Sequence, residues 1–401
     1  MSEPISHRRI VSLICLCEVL SMTGFAAYTA FLPTLRVAWE MTGAEAGFVS
    51  GAFFFGYMLA VPFLSGMTDR IDARRVFIAA CVLAAGGTAG FALLAGGVTS
   101  AAGWQAITGA GLAGTYMPGL KALTDRVDGP RQSRYIAFYT AAFGIGTSVS
   151  LLAAGWLAKA LPWQATFLVL AVGPLCAALA IRAGLRPQPK TGVAKAPWLP
   201  RFGPVLAHAE SRRFILGYVC HCWELFAFRS WLVAFAAFAF GLGLGATVPI
   251  SATEAAALVN LFGIPASILG NEAAGKFGRV RWIGAAMLAS GGLCWVAGLS
   301  ATWPWWAMLA ILIVYFISVM ADSAALTAGL VQATPQEQRG AAMAIYSLLG
   351  FGAAFVSPLA FGKMLDVAGG SESTMAWLLA FGSMGLGGMI WAAANFARAR
   401  R

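Results

Sequence analysis

Long, uninterrupted apolar stretches dominate the chain, and short polar segments separate them. A helix needs about 20 apolar residues to cross a bilayer, and backbone groups in hydrocarbon must be bonded within helices or closed barrels. The stretches lack the two-residue alternation of barrel strands, so they predict transmembrane helices. The predicted helices cover residues 10–35, 45–66, 76–98, 103–124, 135–159, 164–183, 214–238, 248–270, 282–300, 304–328, 341–364 and 374–396.

The composition agrees with this pattern, because 59% of the 401 residues are hydrophobic and only 11% are charged. Soluble domains average about 25% charged residues. The seven cysteines fall within apolar stretches and are odd in number, which argues against a disulfide framework. The fold class predicted from the pattern is an all-α membrane protein with twelve transmembrane helices.

The positive charges are distributed unequally between the two predicted sides of the membrane. Of the 27 Lys and Arg residues, all but Arg36, Lys159, Lys363 and the intramembrane Arg229 fall on one side. The positive-inside rule then places both termini and the central loop in the cytoplasm, with the protein in the cell (inner) membrane. The net charge of +11 is therefore an orientation signal whose expected partners are anionic lipids rather than nucleic acid.

One connection is much longer than the others and is rich in Pro, Lys and Arg. It divides the chain into an N-terminal six-helix bundle (1–183), a cytoplasmic linker (184–213) and a C-terminal six-helix bundle (214–401). The first span of each bundle places an acid near its middle after a Cys-x-Cys sequence, at Glu18 and Glu224. Internal repeats of this kind are common in transporters.

The loop between the second and third predicted spans reads SGMTDRIDARR at residues 65–75. With the six-plus-six arrangement, it resembles the major facilitator superfamily, whose loop follows Gly-x-x-x-Asp-Arg-x-Gly-x-Arg-Arg. The Asp-Arg and Arg-Arg pairs are present, while Ser65 and Asp72 replace the two glycines. The resemblance covers nearly the whole chain. It implies two pseudo-symmetric six-helix halves and a secondary transporter that binds a small-molecule substrate, needs no cofactor and functions as a monomer.

Charged residues of this loop and of the fourth span are candidate gating residues. They are Asp69, Arg70, Arg74, Arg75 and Asp125. Asp69 can face the N-terminal end of span eleven, where the helix dipole favours an anion, and Arg70 can pair with Asp125 or Asp128. Such contacts would form only when the cytoplasmic side is closed. The alternative is that the basic loop only fixes topology.

Ionisable groups inside a membrane cost about 2.5–3.5 kcal/mol on insertion scales and are therefore functional candidates. His221 and Glu224 lie three residues apart on one helix face, and Arg229 lies farther along the same side. We hypothesise that Glu18 or Glu224 carries a proton, that Arg229 holds a substrate anion, and that His221 relays protons. The alternative is a static pair of Arg229 with either acid.

Two further positions are candidates for the substrate or proton pathway. Asp322, in span ten, can be a second proton site or a gate, and the alternative is a helix–helix hydrogen bond. Tyr116 lies beside helix breakers in span four, where it can line the cavity or pack between helices.

Proton-coupled movement of an organic or inorganic anion, by symport and alternating access, is the function predicted from these residues. Two alternatives stay open, namely drug or metabolite efflux by proton antiport and soft-metal transport through Cys and His residues of the first and seventh spans. Cysteines at i and i+2 of a helix point to nearly opposite sides, so we predict no metal site. No H-E-x-x-H, G-x-S-x-G or phosphate-loop sequence is present, so we predict no enzyme.

Overall fold

The computed structural model describes residues 7–129, 131–188, 202–243 and 247–399. All regular structure within these residues is helical. The helices are α1 (His7–Ser21), α2 (Ala27–Ala38), α3 (Gly43–Met67), α4 (Ala73–Leu94), α5 (Val98–Thr124), α6 (Gln132–Leu157), α7 (Trp163–Gly184), α8 (Gly203–Ala207), α9 (Ala209–Gly241), α10 (Ala252–Phe277), α11 (Arg279–Leu299), α12 (Trp305–Met320), α13 (Ser323–Ala333), α14 (Arg339–Val367), α15 (Thr374–Met384) and α16 (Leu386–Ala399).

Ten helical segments of the described chain are long and apolar enough to cross a membrane, which confirms the predicted all-α membrane fold. The other two predicted spans are helical as well. Span one is divided between α1 and α2, and span four corresponds to α5, which is 27 residues long. Counting α1 with α2, α12 with α13 and α15 with α16, the described helices longer than α8 form twelve segments.

The predicted linker 184–213 is partly described, since residues 189–201 lie outside the described residues. Its described part contains α8 and the first turn of α9, which begins at Ala209 rather than at the predicted residue 214. His208 explains the earlier start, because its Nδ1 accepts the Ser211 N–H at 3.3 Å and so caps the helix.

The chain forms two compact units. Unit 1 comprises Met1–Phe31 and Ala52–Trp198, and unit 2 comprises Leu32–Gly51 and Leu199–Arg401. The predicted bundles 1–183 and 214–401 stay a prediction.

Unit 1 has its core between α1, α4, α5, α6 and α7, where Phe77, Tyr139 and Ile181 are buried. The helices α4 and α5 approach closely at Gly111, where a Cβ would lie 2.6 Å from the Ala84 Cα. Small residues permit this close approach. Van der Waals packing between the helices then stabilises their association, because the hydrophobic effect does not drive helices together within a bilayer.

Unit 2 packs α9 against α14 around a second core that includes Phe214, Leu326 and Trp391. The first part of α3 also belongs to this unit and lies along α14. The Asp366 carboxylate of α14 accepts the backbone N–H groups of Gly43 at 2.7 Å and Ala44 at 2.9 Å. An anion at the N-terminus of a helix satisfies free N–H groups and is favoured by the helix dipole.

Three of these spans are each divided into two helices, and at two of the breaks a side chain bonds to the backbone. Between α1 and α2, the Ser150 hydroxyl accepts the Ala26 N–H at 2.9 Å and donates to the Thr23 carbonyl at 2.7 Å. Between α12 and α13, the Ala321 carbonyl accepts from the Trp282 indole N–H at 2.9 Å. These side chains replace helical backbone bonds, as irregular backbone in a membrane requires. Broken helices in transporters often mark binding regions.

Candidate functional site

Glu18 lies in the last turn of α1 and is completely buried. The Tyr139 hydroxyl of α6 is 2.8 Å from its Oε2, while its Oε1 has no hydrogen-bond partner among the described residues. Tyr116, the aromatic candidate of span four, stacks on Tyr139 with a centroid separation of 5.7 Å. Two candidates predicted from separate spans are therefore brought together through a third residue, Tyr139.

Glu224 lies in the middle of α9 and is buried. Its Oε1 accepts from the Tyr315 hydroxyl of α12, and its Oε2 accepts from the Ser290 hydroxyl of α11, each at 3.0 Å. Both partners are neutral hydroxyl groups. Among the described residues, the carboxyl group thus has two hydrogen-bond partners and no ion pair with a basic side chain.

His221 and Asp322 form the second buried titratable group of unit 2. The imidazole Nδ1 lies 2.7 Å from the Asp322 Oδ1, without the angles of a hydrogen bond, so the contact is an ion pair when the imidazole is protonated. Asp322 occupies the break between α12 and α13. His221 and Glu224 share α9, yet their direct partners lie in different segments: Asp322 in the break between α12 and α13, and Ser290 and Tyr315 on α11 and α12.

Arg229, farther along α9, is half-buried. Its Nε donates to the Asn260 Oδ1 of α10 at 3.0 Å, and its guanidinium lies 5.5 Å from the centroid of the Phe316 ring. Within the described part of its unit, Arg229 forms no ion pair, so the static Glu224–Arg229 pair is not observed. Its two terminal nitrogens have no hydrogen-bond partner there.

The predicted gating loop is organised by Asp72, which stands where the family pattern has glycine. Asp72 caps α4 through the Arg74 N–H at 3.0 Å and forms a buried ion pair with Arg126 at 2.8 Å. The Gln188 N–H donates to the same carboxylate at 2.8 Å. Burial opposes ionisation, but these hydrogen bonds outweigh it and hold the pKa of Asp72 below its usual range.

The other gating candidates lie around this pair. Asp69 is exposed, and its carboxylate forms no hydrogen bond or ion pair with another described residue. Asp125 forms an ion pair with Lys121 at 2.8 Å. The Arg74 guanidinium donates to backbone carbonyls at the end of α7, and Arg75 is exposed. Their role as gates stays a prediction.

We expect Asp72→Asn to destabilise the protein at neutral pH by about 2–3 kcal/mol, because Arg126 stays buried without its charged partner. The asparagine can still cap α4, so the loss should report mainly on the ion pair. Thermal denaturation of the detergent-purified protein should show a lower midpoint than that of the wild type.

The effect should also depend on pH with a definite sign. Because the pKa of Asp72 is lowered in the folded protein, its stabilisation is present above the ordinary value of about 3.9 and is lost as the pH falls through the folded value. The midpoints of the wild type and Asp72→Asn should therefore converge at strongly acidic pH. Asp69→Asn is the matched control, and an equal loss in that variant would refute the assignment.

Several polar partners within the spans were not identified as candidates from the sequence. They are Tyr139, Asn260, Ser290 and Tyr315. The sequence does show that each is a polar residue within a predicted span, and a buried polar group is expected to have a hydrogen-bond partner. The sequence does not show which partner each one meets.

The cysteines that suggested a soft-metal path are divided between two environments. Cys17 and Cys222 are buried, while Cys15 and Cys220 are half-buried. In the portion of the chain that the structure describes, no group of three or more His, Cys, Asp or Glu side chains is placed to hold a metal ion.

Comparison with known proteins gives a family match over most of the chain. Residues 14–358 match the model of the Major Facilitator Superfamily. The chain is 26% identical over 147 residues to the niacin transporter NiaP of Acinetobacter baylyi, covering 37% of this chain and 33% of that protein. It is 25% identical over 168 residues to the uncharacterized MFS-type transporter YcaD of Salmonella enteritidis, covering 41% and 44%. The chain thus matches less than half the length of these relatives.

Solved structures show the same fold over the whole chain. Crystal structures of a bacterial homologue of the human lysosomal transporter Spinster, in inward-facing occupied and unoccupied conformations, give TM-scores of 0.78 and 0.79. Each match covers 100% of this chain and 98% of the other at 16% identity, which shows the fold alone. The resemblance inferred from the loop at residues 65–75 is confirmed: the chain belongs to the Major Facilitator Superfamily.

Proposed function

We propose that the protein couples the movement of a small organic or inorganic anion to protons. In this proposal Glu18 and Glu224 carry protons, and Arg229 binds the anion. The observation that carries it is the separation of charges in unit 2: Glu224 and Arg229 lie on the same helix, yet each is bonded only to neutral groups. Unpaired charges inside a membrane are costly, so their retention favours a functional role.

The partners of Glu224 suit a group that changes its protonation state. A hydroxyl can donate to a carboxylate or accept from a protonated carboxyl group. Ser290 and Tyr315 can therefore serve both states of Glu224 by rotating their O–H bonds. A basic partner would instead hold the carboxylate in its charged form.

Glu18 is the corresponding group of unit 1. Its single partner, the Tyr139 hydroxyl, is again neutral, and its Oε1 is buried without a partner in the described residues. A buried ionised carboxylate with one donor is costly, so the protonated form suits this environment. We propose that Glu18 is protonated in this arrangement and that Tyr116 lines the substrate pathway beside it.

Arg229 supports the assignment of an anionic substrate. Its free terminal nitrogens form a planar fork that can bind a carboxylate through two parallel hydrogen bonds. Asn260 and Phe316 position the guanidinium without neutralising it. Niacin, the substrate named for one partial relative, is itself a small carboxylate. It is therefore a useful first probe.

His221 and Asp322 complete the proposed proton path in unit 2. Protonation of His221 would strengthen its contact with Asp322, and loss of that proton would weaken it. The proposal further places the protein in the inner membrane as a monomer with cytoplasmic termini, working as a symporter. The distribution of Lys and Arg supports this orientation.

We expect Arg229→Gln to raise the apparent KM for the transported anion about 100-fold, because two charge-assisted hydrogen bonds are lost. The measurement begins with a thermal-shift screen of carboxylates, niacin included, inorganic anions, cationic drugs and Cu(I). A bound ligand stabilises the fold by mass action. Uptake of the stabilising anion into proteoliposomes then gives KM.

Two further variants separate charge from local structure. Arg229→Lys keeps the charge and should retain part of the affinity, while Asn260→Ala removes only the support of Nε and should have a smaller effect. If Arg229→Gln leaves KM unchanged, Arg229 is not a substrate ligand. Stabilisation by cationic drugs alone would favour efflux by antiport, and stabilisation by Cu(I) alone would favour metal transport.

A further inference from the structure

A basic cleft of about 380 Å³ lies between the ends of α4 and α7 in unit 1. Its lining consists of Arg74, Arg75, Ile78, Ala79 and Arg182. No acidic residue of the described chain lines it, so three positive charges share one open space.

The three arginines differ in how firmly they are held. The Arg74 guanidinium donates to the backbone carbonyls of Ile181 and Arg182, which fixes it beside the first turn of α4. The side chains of Arg75 and Arg182 are exposed and make no hydrogen bond or ion pair with a described residue. The cleft therefore combines one positioned cation with two that are available to a ligand.

The walls of the cleft continue as apolar surface along both helices. On α4 the exposed face runs from Ala79 to Val82 and Leu83, and on α7 it includes Leu179 and Leu175. On each helix these residues are spaced so that they share the face of the cleft arginine. A ligand with an anionic headgroup and apolar tails matches a basic cleft that is continued by two apolar helix faces.

We propose that this cleft binds the headgroup of an anionic glycerophospholipid, with its acyl chains lying along α4 and α7. The positive-inside rule predicts that this end of the two helices lies at the cytoplasmic face, where anionic lipids attract basic groups. A free phosphate would use the arginines but not the apolar faces. The site is independent of the transported substrate and of the proposed proton carriers.

The test is a titration of the full-length protein in detergent with dioctanoyl-phosphatidylglycerol, following the denaturation midpoint. Dioctanoyl-phosphatidylcholine has the same tails with a neutral headgroup, and inorganic phosphate supplies the anion alone. We expect the phosphatidylglycerol to raise the midpoint, with little effect of the other two. Added salt should weaken the effect, because exposed charges are screened.

Variants locate the site. Arg75→Gln and Arg182→Gln should each weaken the apparent affinity for phosphatidylglycerol about fivefold, and the double variant about 25-fold. Arg75→Lys and Arg182→Lys retain the charge and should bind nearly as well as the wild type. Arg281→Gln, at the exposed first turn of α11, is the matched control and should leave the affinity unchanged.

Four results would overturn the proposal. Equal stabilisation by phosphatidylcholine would show that only the tails bind, and equal stabilisation by phosphate would show a small-anion site. Unchanged affinity in the Arg75→Gln/Arg182→Gln double variant, or an equal loss in Arg281→Gln, would place lipid binding elsewhere.

Discussion

Glu224→Gln is expected to abolish proton-driven accumulation of substrate while leaving substrate exchange partly intact. Glutamine resembles the protonated carboxyl group in shape and can still bond to the hydroxyls of Ser290 and Tyr315. Glutamine cannot release a proton. The step in which the empty transporter returns with residue 224 deprotonated is therefore lost. Exchange of internal for external substrate needs no such step.

Proteoliposomes with an imposed proton gradient make the measurement. A gradient of about one pH unit supports about tenfold accumulation when one proton is coupled to each substrate. The wild type should approach this ratio, whereas Glu224→Gln should reach only the distribution expected without coupling. Counterflow of labelled substrate in the same vesicles measures exchange.

Comparison with two other carboxyl groups makes the result specific. Glu210→Gln changes an exposed acid on the same helix, which pairs with Arg213, and should leave both activities unchanged. Glu18→Gln asks whether unit 1 carries the proton instead of, or together with, Glu224. Equal loss of accumulation and exchange in Glu224→Gln would contradict its role as a proton carrier.

The fold could largely be predicted from the sequence because a bilayer leaves few choices to an apolar stretch. Lengths near 20 residues and the placement of Lys and Arg sufficed for the helical membrane class. The residues of the loop at 65–75 sufficed for the family, although Asp72 replaces a glycine there. The same replacement supplies the buried ion pair with Arg126, which the family pattern does not contain.

The candidate site could be predicted only as a set of separate positions. The cost of a charge in hydrocarbon identified Glu18, Glu224 and Arg229 without reference to their partners. Their partners are set by packing between distant segments: Tyr139 is 121 residues from Glu18, and Tyr315 is 91 residues from Glu224. The sequence does not show which side chains meet in space. A static Glu224–Arg229 pair was therefore as consistent with the sequence as the separated arrangement that is found.

The close packing of α3 on α14 was not predicted from the sequence. Gly43, Gly47 and Gly51 recur every four residues on one face of α3. In unit 2 this face lies directly on the backbone of α14, beside Gly362 and Pro358. The spacing is visible in the sequence, whereas the helix that it meets is not.

The contact between α3 and α14 should be sensitive to side-chain size. A Cβ at Gly47 would overlap the carbonyl oxygen of Pro358 and lie 2.8 Å from the Leu359 Cα. These are backbone atoms, so no side-chain rotation can relieve the clash. The Asp366 bonds to the Gly43 and Ala44 N–H groups depend on the same close approach.

We expect Gly47→Val to reduce transport at least about 100-fold in both directions while the protein still folds. Alternating access requires contacts between the two sequence halves to form and break, and residues 32–51 of the first half pack in unit 2. Overpacking by about 3 kcal/mol would shift the population away from the packed arrangement by about 100-fold. Proteoliposome uptake and efflux measure the loss.

The matched control is Gly86→Val on α4, where an added Cβ would meet no described atom within 4 Å. Valine at an exposed helical glycine should leave transport and stability close to those of the wild type. A pair of spin labels on α3 and α14 reports the contact itself, and its distance should increase in Gly47→Val only. Normal transport in Gly47→Val, or an unchanged distance between the two spin labels, would show that the transport cycle does not depend on the close packing of α3 on α14.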